Sequence, residues 1–418
     1  MVLIDSRPAR EAAEPLPAGA ATPEHSVRAG RVPLLFLLAD TGGGHRSAAR
    51  AVGEALGRAY PGRFDPVFCD PLAGPGSSRL LRWVTGLYGP LIRHAPWAWG
   101  AAYHASDARW VMRLLQRTLL ALANRPVAGA VAAHEPAAIV SFHPLTGGAA
   151  ARVSRRQPRN VPVVTVVTDL ITSHAAWRSS QPDWMAVPSA AVRQRCRLDG
   201  LASDRCVDTG LPVTAGFWGG PLADGERAAL RRSLGVSERR FLAVLTGGGE
   251  GSGGMARRAA AIVRAFDDID VVAICGRNSG LQRRLARLAA RSGGRLKVLG
   301  FVNNMPDWLR GADVVIANAG PGTIAEAACC GAPLLLTSHL PGQEKGNVRL
   351  AAVAGAGRAV PRRRQMLREL GELRRNPAAL AAMRAASAGL GRPGAAAGVA
   401  ALLASLTGVT GMEAVRHG

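Results

Sequence analysis

The chain has 418 residues, 48% of them hydrophobic, and its 52 basic and 29 acidic residues give a formal net charge of +23. The length allows two domains of ordinary size, and the composition is that of a globular rather than a disordered protein. The charge favours an anionic partner such as nucleic acid, anionic lipid or a nucleotide. Because the sequence has no zinc-ligand spacing, RNA-binding signature or helix-turn-helix pattern, we expect no nucleic-acid partner.

The N-terminal segment and the cysteines predict a cytoplasmic protein. Residues 1–30 are rich in proline, alanine and acidic residues, so we expect them to be disordered and not to act as a signal peptide. We also expect no membrane-spanning helix, since no uninterrupted apolar stretch reaches roughly 18 residues. The six cysteines have no paired spacing, which indicates thiols in a reducing compartment.

The first predicted strand ends in a glycine-rich loop. An apolar run at 34–39 leads into Asp-Thr-Gly-Gly-Gly-His-Arg-Ser at 40–47, and a helical pattern covers 46–60. Glycines let the backbone approach a ligand, and the helix N-terminus offers free N–H groups at the same place. His45 adds a titratable imidazole at the carboxyl end of a strand, where such sheets bind ligands. We therefore interpret the junction as a site rather than as a simple turn.

Strands and helices alternate along the chain in two blocks. The first block has predicted strands at 34–39, 67–70, 138–142, 163–168, 184–187 and 206–209, and the second at 241–245, 271–275, 296–299, 314–317 and 334–337. Residues 210–225, rich in glycine and proline, form a linker. This alternation predicts an α/β fold with two doubly wound domains facing across a cleft. The expected domains are 31–212 and 240–418, the second including the terminal helices.

One segment, 77–125, interrupts the first block. It has no strand signal and holds four of the eight tryptophans, with seven arginines against the single acid Asp107. Aromatic, aliphatic and arginine residues mixed in this way are typical of an element that lies in lipid headgroups. The alternative is a set of core helices with arginines on the wet face. We expect 77–125 to dock on an anionic membrane surface, with Trp83, Trp97 and Trp99 inserted.

A second glycine loop follows the strand at 241–245. Residues 246–254 contain six glycines in nine positions, and a helix is predicted from 255 to 266. The arrangement suits a diphosphate bound by backbone N–H groups and a helix N-terminus. Neither the P-loop nor the dinucleotide-binding spacing is present. Since glycine carries no side chain, we expect these glycines to serve a ligand rather than packing.

Two further loops in the second block offer polar groups. After the strand at 314–317, Thr323 is a predicted cap and Glu326 is expected in the first turn of helix 324–330, where its carboxylate can accept both hydroxyls of a ribose. Ordinary helix-dipole stabilisation is the alternative for Glu326. The loop at 339–347, with Gln343, Glu344 and Asn347, fits sugar hydroxyls.

No metal is expected at the Asp268-Ile269-Asp270 pair, because it lies at the amino end of its strand, away from the ligand edge. The loop N–H groups, a helix dipole and Arg277 would then neutralise a diphosphate without a metal ion.

Taken together, these residues resemble the glycosyltransferases of the monogalactosyldiacylglycerol synthase and processive diacylglycerol glucosyltransferase family, which is related more distantly to the GlcNAc-transferase that makes lipid II. The matching stretches are 40–47, 165–170 with His174 and Trp177, 210–212, 275–278, 300–301, 319–327 and 341–348. The resemblance implies a GT-B fold, a UDP-glucose or UDP-galactose donor on the C-terminal domain and a diacylglycerol-type acceptor on the N-terminal domain. It also implies inversion at the sugar carbon, no cofactor and no catalytic metal.

The resemblance also implies roles for individual residues. The donor-binding residues are Gly247, Gly248, Gly249, Arg277, Phe301, Val302, Gly322, Thr323, Glu326, Gln343, Glu344 and Asn347. The acceptor-binding residues are Gly43, Gly44, His174 and Trp177. His45 is the first choice for the general base, because an imidazole pKa near 6.5 suits proton transfer at neutral pH. Asp169 is the alternative base, or it orients a histidine.

Other functions remain open from the sequence. One is transfer of GlcNAc from UDP-GlcNAc to a polyprenyl-linked or other glycolipid acceptor. Another, from a different class, is a non-catalytic protein that binds sugar nucleotides or membranes. The expected location is the cytoplasmic face of a membrane, with peripheral attachment.

Overall fold

The computed structural model describes residues 30–39, 43–74, 76–249, 251 and 254–410 and builds two six-stranded parallel sheets. The predicted disorder before Gly30 and positions 40–42 of the first glycine loop lie outside the described residues. The N-terminal sheet has the order β2-β1-β3-β4-β5-β6. Its strands are β1 (Val32–Leu37), β2 (Phe64–Cys69), β3 (Ala138–Ser141), β4 (Val163–Val166), β5 (Trp184–Val187) and β6 (Cys206–Asp208).

The C-terminal sheet repeats this arrangement with the order β12-β11-β10-β7-β8-β9. Its strands are β7 (Phe241–Thr246), β8 (Ile269–Ile274), β9 (Leu296–Leu299), β10 (Val314–Asn318), β11 (Leu334–Ser338) and β12 (Gly357–Ala359). The predicted α/β class and the two doubly wound sheets are confirmed. Only β12 has no predicted counterpart, because its Gly-Arg-Ala sequence has no apolar run and it forms by pairing with β11.

Helices cover both faces of each sheet. Those of the first half are α1 (Gly43–Ala59), α2 (Arg79–Gly86), α3 (Tyr88–His94), α4 (Pro96–Ser106), α5 (Arg109–Arg117), α6 (Asn124–His134), α7 (Gly147–Ser154), α8 (Ala175–Arg178) and α9 (Ala190–Leu198). Those of the second half are α10 (Asp224–Ser233), α11 (Met255–Ala265), α12 (Ser279–Ala289), α13 (Met305–Gly311), α14 (Pro321–Cys329), α15 (Lys345–Val353), α16 (Arg363–Arg375), α17 (Pro377–Leu390) and α18 (Ala395–Leu406). Short 3₁₀ helices lie at Leu119–Ala123, Ser203–Arg205 and Ala215–Phe217.

The last helix departs from the predicted domain limits. Although the sequence assigns 240–418 to the C-terminal domain, α18 packs against α1 and the N-terminal sheet, with Val399 and Leu403 in one buried cluster with Phe36. Buried residues recur along α18 at i, i+3, i+4 and i+7, and the small side chains of α1 allow close contact. Helix α18 therefore belongs to the core of the first domain.

The expectation of no membrane-spanning stretch needs a correction. By length and composition, Pro377–Leu406 is apolar enough to cross a membrane. In the structure this stretch is two helices, α17 and α18, separated at 391–394, and α18 belongs to the core described above. The apolar face of α18 is buried on the N-terminal domain, whereas α17 packs against α14 and α16 of the C-terminal domain.

The six cysteines are free thiols, as the sequence predicts. Five are buried, and Cys69 is half-buried.

Candidate functional site

Both sheets have a point at which the strand order reverses, and these points fix where the site lies. In the N-terminal sheet the chain crosses from one side of β1 to the other between β2 and β3, and in the C-terminal sheet it does so between β9 and β10, beside β7. Loops that leave neighbouring strands at such a point open a crevice at the carboxyl edge of the sheet. The glycine loops after β1 and β7 both occupy this position.

His45 is the third residue of α1, three residues deeper in the helix than predicted. Its Nδ1 hydrogen-bonds Thr168 Oγ1 at 2.9 Å, and its ring lies edge-on to His143 with the centroids 4.6 Å apart. Burial lowers the pKa of His45 to about 4, although an interaction with the Phe142 backbone opposes this. The imidazole is therefore neutral at pH 7, and the predicted pKa near 6.5 is wrong.

Asp169 follows β4 and is buried at the boundary between the domains. Its Oδ2 accepts a hydrogen bond of 2.8 Å from Trp177 Nε1, and its Oδ1 accepts one of 3.1 Å from Gln343 Nε2. Burial raises the pKa of Asp169 to about 6, while the two hydrogen bonds favour the ionised form. These two bonds use one lone pair on each carboxylate oxygen, and no direct hydrogen bond joins Asp169 to His45 among the described residues; the Trp177 ring centroid lies 6.1 Å from that of His45.

Two predicted acceptor residues are buried behind the crevice. Trp177 is 1% exposed and His174 is 8% exposed. The Nδ1 of His174 caps α8 by accepting from Ala176 N, and its Nε2 contacts the carbonyl of Tyr103 and the hydroxyl of Ser106. Burial lowers the pKa of His174. Neither side chain lines an open mouth, so this geometry assigns both to support of Asp169 and α4; direct contact with an acceptor stays a prediction.

Gly43 and Gly44, the other predicted acceptor residues, open α1. Both are exposed, and a Cβ on either would meet nothing within 4 Å. The described residues therefore leave space beside these two glycines in the first turn of α1.

The second glycine loop packs closely against the loop after β8. A Cβ at Gly251 would lie 2.2 Å from the carbonyl oxygen of Cys275, and one at Gly276 would lie 2.2 Å from the oxygen of Gly249. The expectation that these glycines serve only a ligand is therefore wrong in part, because Gly251 is needed for contact between loops. Gly248 has φ +73° and its N–H donates to Thr246 Oγ1, so it too is required by the turn.

Arg277 and Phe301 lie together beside this loop. The Arg277 guanidinium is 5.1 Å from the centroid of the Phe301 ring. The backbone N–H of Arg277 donates to the Gly249 carbonyl at 2.8 Å. The ring is 52% exposed, whereas Val302 packs against the core of the C-terminal domain. The exposed ring offers a stacking surface and Arg277 a positive charge next to Gly247 and Gly249.

Helix α14 begins earlier than predicted and changes two assignments. Pro321 is at the first turn and Gly320 is the N-cap, so Thr323 is not the cap and Glu326 lies in the second turn. Gly322 remains close to Glu326, with a Cβ there 4.0 Å from Glu326 Oε1. Burial raises the pKa of Glu326 to about 7. Ionisation of this buried carboxyl group is unfavourable, and no arginine or lysine is paired with it among the described residues. A hydrogen-bond donor from a ligand would stabilise the ionised form.

Three buried amide oxygens at the carboxyl edge of the C-terminal sheet have no hydrogen-bond partner in the described structure: Asn318 Oδ1, Gln343 Oε1 and Asn347 Oδ1. Buried acceptors are nearly always satisfied in folded proteins, so these oxygens indicate donors supplied by a ligand. Asn347 Nδ2 holds the loop by donating to the Ala319 carbonyl at 3.0 Å. Glu344 accepts from Leu340 N at 2.7 Å, and burial raises its pKa to about 6.

The described residues contain no group of three or more His, Cys, Asp or Glu side chains placed to hold a metal ion. Asp268 and Asp270, rejected above as metal ligands, form ion pairs with Arg374 and Arg240. Their carboxylates therefore have a structural explanation.

The segment 77–125 forms α2 to α5 and presents apolar side chains to solvent. Trp83, Trp97 and Trp110 are 65%, 75% and 67% exposed. The prediction that Trp99 inserts into lipid is wrong, because Trp99 is only partly exposed and packs edge-on to Tyr88 at 4.9 Å. Trp110, which was not among the tryptophans predicted to insert, is exposed instead.

The inserted segment also reaches the donor side. A Cβ at Gly100 in α4 would lie 2.7 Å from Pro341 Cβ, and a Cβ at Gly342 would lie 2.7 Å from the Tyr103 ring. Sequence reasoning missed this contact, and it missed Thr168 and Asn318 as site residues. Thr168 and Asn318 were recognisable as polar residues at or just beyond strand ends, whereas the contact of α4 had no sequence signal.

Two doubly wound parallel sheets with polar loops facing each other at their carboxyl edges define a protein of the GT-B fold. MurG of Acinetobacter baumannii has a TM-score of 0.58 and 15% identity, with 90% of this chain and 99% of that chain covered. The Anabaena protein HepE in complex with UDP has a TM-score of 0.55 and 15% identity, with 90% and 100% covered. The predicted GT-B fold is confirmed.

Sequence relatives narrow this class to one family. Residues 45–213 match the monogalactosyldiacylglycerol (MGDG) synthase family and residues 243–398 match the glycosyltransferase family 28 C-terminal domain. A relative from Oryza sativa subsp. indica, described as a probable chloroplastic monogalactosyldiacylglycerol synthase 2, is 34% identical over 83% of this chain and 73% of its own length. The chain belongs to the monogalactosyldiacylglycerol synthase family, and the predicted family is confirmed.

Proposed function

We propose that this glycosyltransferase moves a hexose from UDP-glucose or UDP-galactose to diacylglycerol or a related lipid, with inversion at the anomeric carbon and without a metal or other cofactor. The observation that carries the proposal is the pair of facing sites. Orphaned hydroxyl-accepting oxygens and Glu326 lie on the C-terminal side, and His45 and Asp169 lie on the N-terminal side. The bond between Gln343 and Asp169 joins the two.

The donor is assigned to the C-terminal edge. The ribose hydroxyls donate to Glu326, the diphosphate binds the N–H groups of residues 247–249 with Arg277, and the base stacks on Phe301. The sugar hydroxyls donate to the amide oxygens of Gln343 and Asn347. The amide oxygens of Gln343 and Asn347 have no hydrogen-bond partner among the described residues, and the Phe301 ring is exposed.

The reaction requires a base on the N-terminal side. The lipid hydroxyl attacks the anomeric carbon, its proton passes to His45, and UDP leaves with the electrons of the broken carbon–oxygen bond. His45 follows Gly43 and Gly44, where the described residues leave space, whereas each oxygen of Asp169 already accepts one hydrogen bond. A pKa of about 4 makes His45 a weak base in the free protein. In the proposed reaction, the negative charges of Asp169 and the diphosphate stabilise the imidazolium that forms.

Chemical rescue tests this division of roles. His45→Gly should lose roughly 10²–10⁴-fold in kcat, a typical general-base contribution, and added imidazole should restore part of it. The nucleotide site lies on the other domain, so UDP affinity should remain nearly unchanged. Rescue of Asp169→Gly by formate, with no rescue of His45→Gly, would instead make Asp169 the base.

The acceptor and the hexose are tested by product analysis. Purified protein is mixed with diacylglycerol vesicles and each of UDP-glucose, UDP-galactose and UDP-GlcNAc, and UDP release and glycolipid are measured. The proposal expects a hexosyl-diacylglycerol. A product only with UDP-GlcNAc and a polyprenyl-linked acceptor would favour the alternative transferase, and no UDP release with any donor would refute catalysis.

The face formed by α2 to α5 is proposed to dock on an anionic membrane, at its cytoplasmic side. The segment carries six net positive charges, from seven arginines and Asp107, and exposes Trp83, Trp97 and Trp110. Arginines near an anionic surface contribute about 1 kcal/mol each, and interfacial tryptophans anchor at the headgroups.

Co-sedimentation with anionic vesicles should fall at high salt and in the double variant Trp97→Ala, Trp110→Ala. The control is Leu198→Ala, since Leu198 is exposed on α9. Equal loss in the control, or binding that ignores salt, would contradict the proposal.

A further inference from the structure

We propose that Gln343 is a positioning residue of the transfer reaction, which links the sugar of the donor to the ionisation and placement of Asp169. The inference rests on the proposed function, in which Asp169 must be ionised to stabilise the imidazolium of His45. The geometry behind it belongs to the protein itself and can be tested without turnover.

The amide of Gln343 connects the two domains at the centre of the crevice. Gln343 follows β11 in the C-terminal domain, and its Nε2 donates to Oδ1 of Asp169, which follows β4 in the N-terminal domain, at 3.1 Å. The other carboxylate oxygen accepts from Trp177 within the N-terminal domain at 2.8 Å. Each domain therefore fixes one oxygen of Asp169, and a change in the donor loop acts directly on this carboxylate.

The opposite end of the same amide is buried and unused. Gln343 Oε1 has no hydrogen-bond partner in the described structure. A sugar hydroxyl that donates to Oε1 would fix the plane of the amide and so hold Nε2 on Asp169. Because linked hydrogen bonds polarise one another, it would also make Nε2–H a stronger donor. The ligand that this end fits is a hydroxyl of the donor hexose.

Among the described residues, three titratable side chains interact electrostatically with Asp169. Tyr88 and Tyr103 approach it from α3 and α4, and Glu344 approaches it from the donor loop. Burial raises the pKa of Tyr88 to about 12 and that of Tyr103 above its ordinary value, so both stay neutral over the working pH range. Burial raises the pKa of Glu344 to about 6, so Glu344 is the group whose titration must be separated from that of Asp169.

The competing explanation is that Gln343 only contacts the donor or only holds the loop in place. Either role would change the KM for the donor or the stability. Neither would move the pKa of Asp169. A bond to the ionised carboxylate, in contrast, lowers its pKa, and its loss raises the pKa by about one to two pH units.

Trp177 supplies a readout that does not depend on activity. Its indole N–H donates to Asp169, so the fluorescence of Trp177 should change when the carboxylate is protonated. Subtracting the fluorescence of the Trp177→Phe variant from that of the parent protein isolates this signal from the other tryptophans. We would titrate this difference from pH 4.5 to 8.5 in the full chain. The variants are Gln343→Met, which keeps the length but removes both polar atoms, and Gln343→Asn, which withdraws the amide by one methylene. Gln365→Met is the matched control, because Gln365 is a half-buried glutamine on α16 whose amide donates to the carbonyl of Ala359 at 2.9 Å, far from Asp169 in the chain.

We expect a midpoint near pH 6 in the parent and control proteins and a midpoint about one pH unit higher in both Gln343 variants. The transition should persist in the Glu344→Gln variant, with a midpoint at or below that of the parent because a neighbouring negative charge is removed, and its persistence assigns the signal to Asp169. UDP affinity within a few-fold of the parent value shows that the variants are folded. The acid limb of kcat/KM should move by the same amount as the midpoint.

An unchanged midpoint in folded Gln343 variants would overturn the proposal. A midpoint that moves upward in a protein that releases no UDP from any donor would support the link to Asp169 and refute the proposed function alone.

Discussion

Glu326 allows a quantitative test of the donor site. The sequence assigns its carboxylate to a ribose, and the structure shows that burial raises the pKa of Glu326 to about 7 without a cationic partner among the described residues. If both ribose hydroxyls donate to the carboxylate, Glu326→Gln leaves one acceptor oxygen and removes the charge. Hydrogen bonds to a charged group contribute about 1.5–3 kcal/mol, so the dissociation constant of UDP should rise by about ten- to 150-fold.

The pH dependence gives a second, independent magnitude. Below pH 7 the free protein holds a proton on Glu326 that must be released when ribose binds to the carboxylate, so affinity should weaken by up to about tenfold for each pH unit below 7. The phosphate of UDP also titrates in this range, and it affects the parent and the Glu326→Gln variant equally. The difference between the pH profiles of UDP affinity for these two proteins therefore reports on Glu326.

Titration calorimetry with UDP at several pH values between 5.5 and 8.5 measures both effects. The control is Glu135→Gln, because Glu135 is exposed on the N-terminal domain. The Glu326→Gln change should weaken the binding of 2′-deoxy-UDP less than it weakens the binding of UDP. A UDP dissociation constant equal in parent and variant, at every pH, would refute the ribose assignment and leave Glu326 a structural carboxylate.

The same raised pKa predicts a stability effect of known sign. A carboxyl group whose folded pKa lies above its unfolded value of 4.5 favours the folded state at low pH and opposes it above pH 7. Without UDP, Glu326→Gln should therefore raise the unfolding temperature at pH 8. A lower unfolding temperature at pH 8 would mean that the ionised carboxylate has a stabilising partner.

Three further predictions follow from packing. Gly251→Ala should weaken UDP binding and lower the unfolding temperature in a thermal melt, because its Cβ would lie 2.2 Å from the Cys275 oxygen at φ +55°; an unchanged melt and affinity would contradict this. Gly100→Ala should raise the KM for the UDP-sugar in steady-state assays, since its Cβ would lie 2.7 Å from Pro341 Cβ and push α4 away from the donor loop; an unchanged KM would show that α4 yields freely. Asp313→Ala should lower stability in urea unfolding by about 3–5 kcal/mol because it strips buried arginines of their partner, and a loss below 1 kcal/mol would contradict that account.

The sequence alone determined the order of the elements and the type of each. Parallel strands that are buried on both faces appear in the sequence as short apolar runs, whereas the apolar residues of helices recur about every 3.6 positions. The strands β1 to β11 therefore lie close to where the sequence predicts them. The ends of helices were less predictable. Gly43 and Pro321 both open helices earlier than expected, which moves His45 into α1 and Glu326 into the second turn of α14.

Only the tertiary structure decided which residues meet and what burial does to them. Nothing in the local sequence pairs Asp169 with Gln343, 174 positions away, or sends α18 back to the first domain. The same holds for the exposure of Trp110 in place of Trp99, since both lie in similar aromatic, basic surroundings. Desolvation likewise separates the pKa values of His45 and Asp169 in opposite directions from their ordinary values, to about 4 and about 6. Local periodicity reports the backbone conformation of a segment, whereas contacts and desolvation depend on the atoms that other segments bring to it.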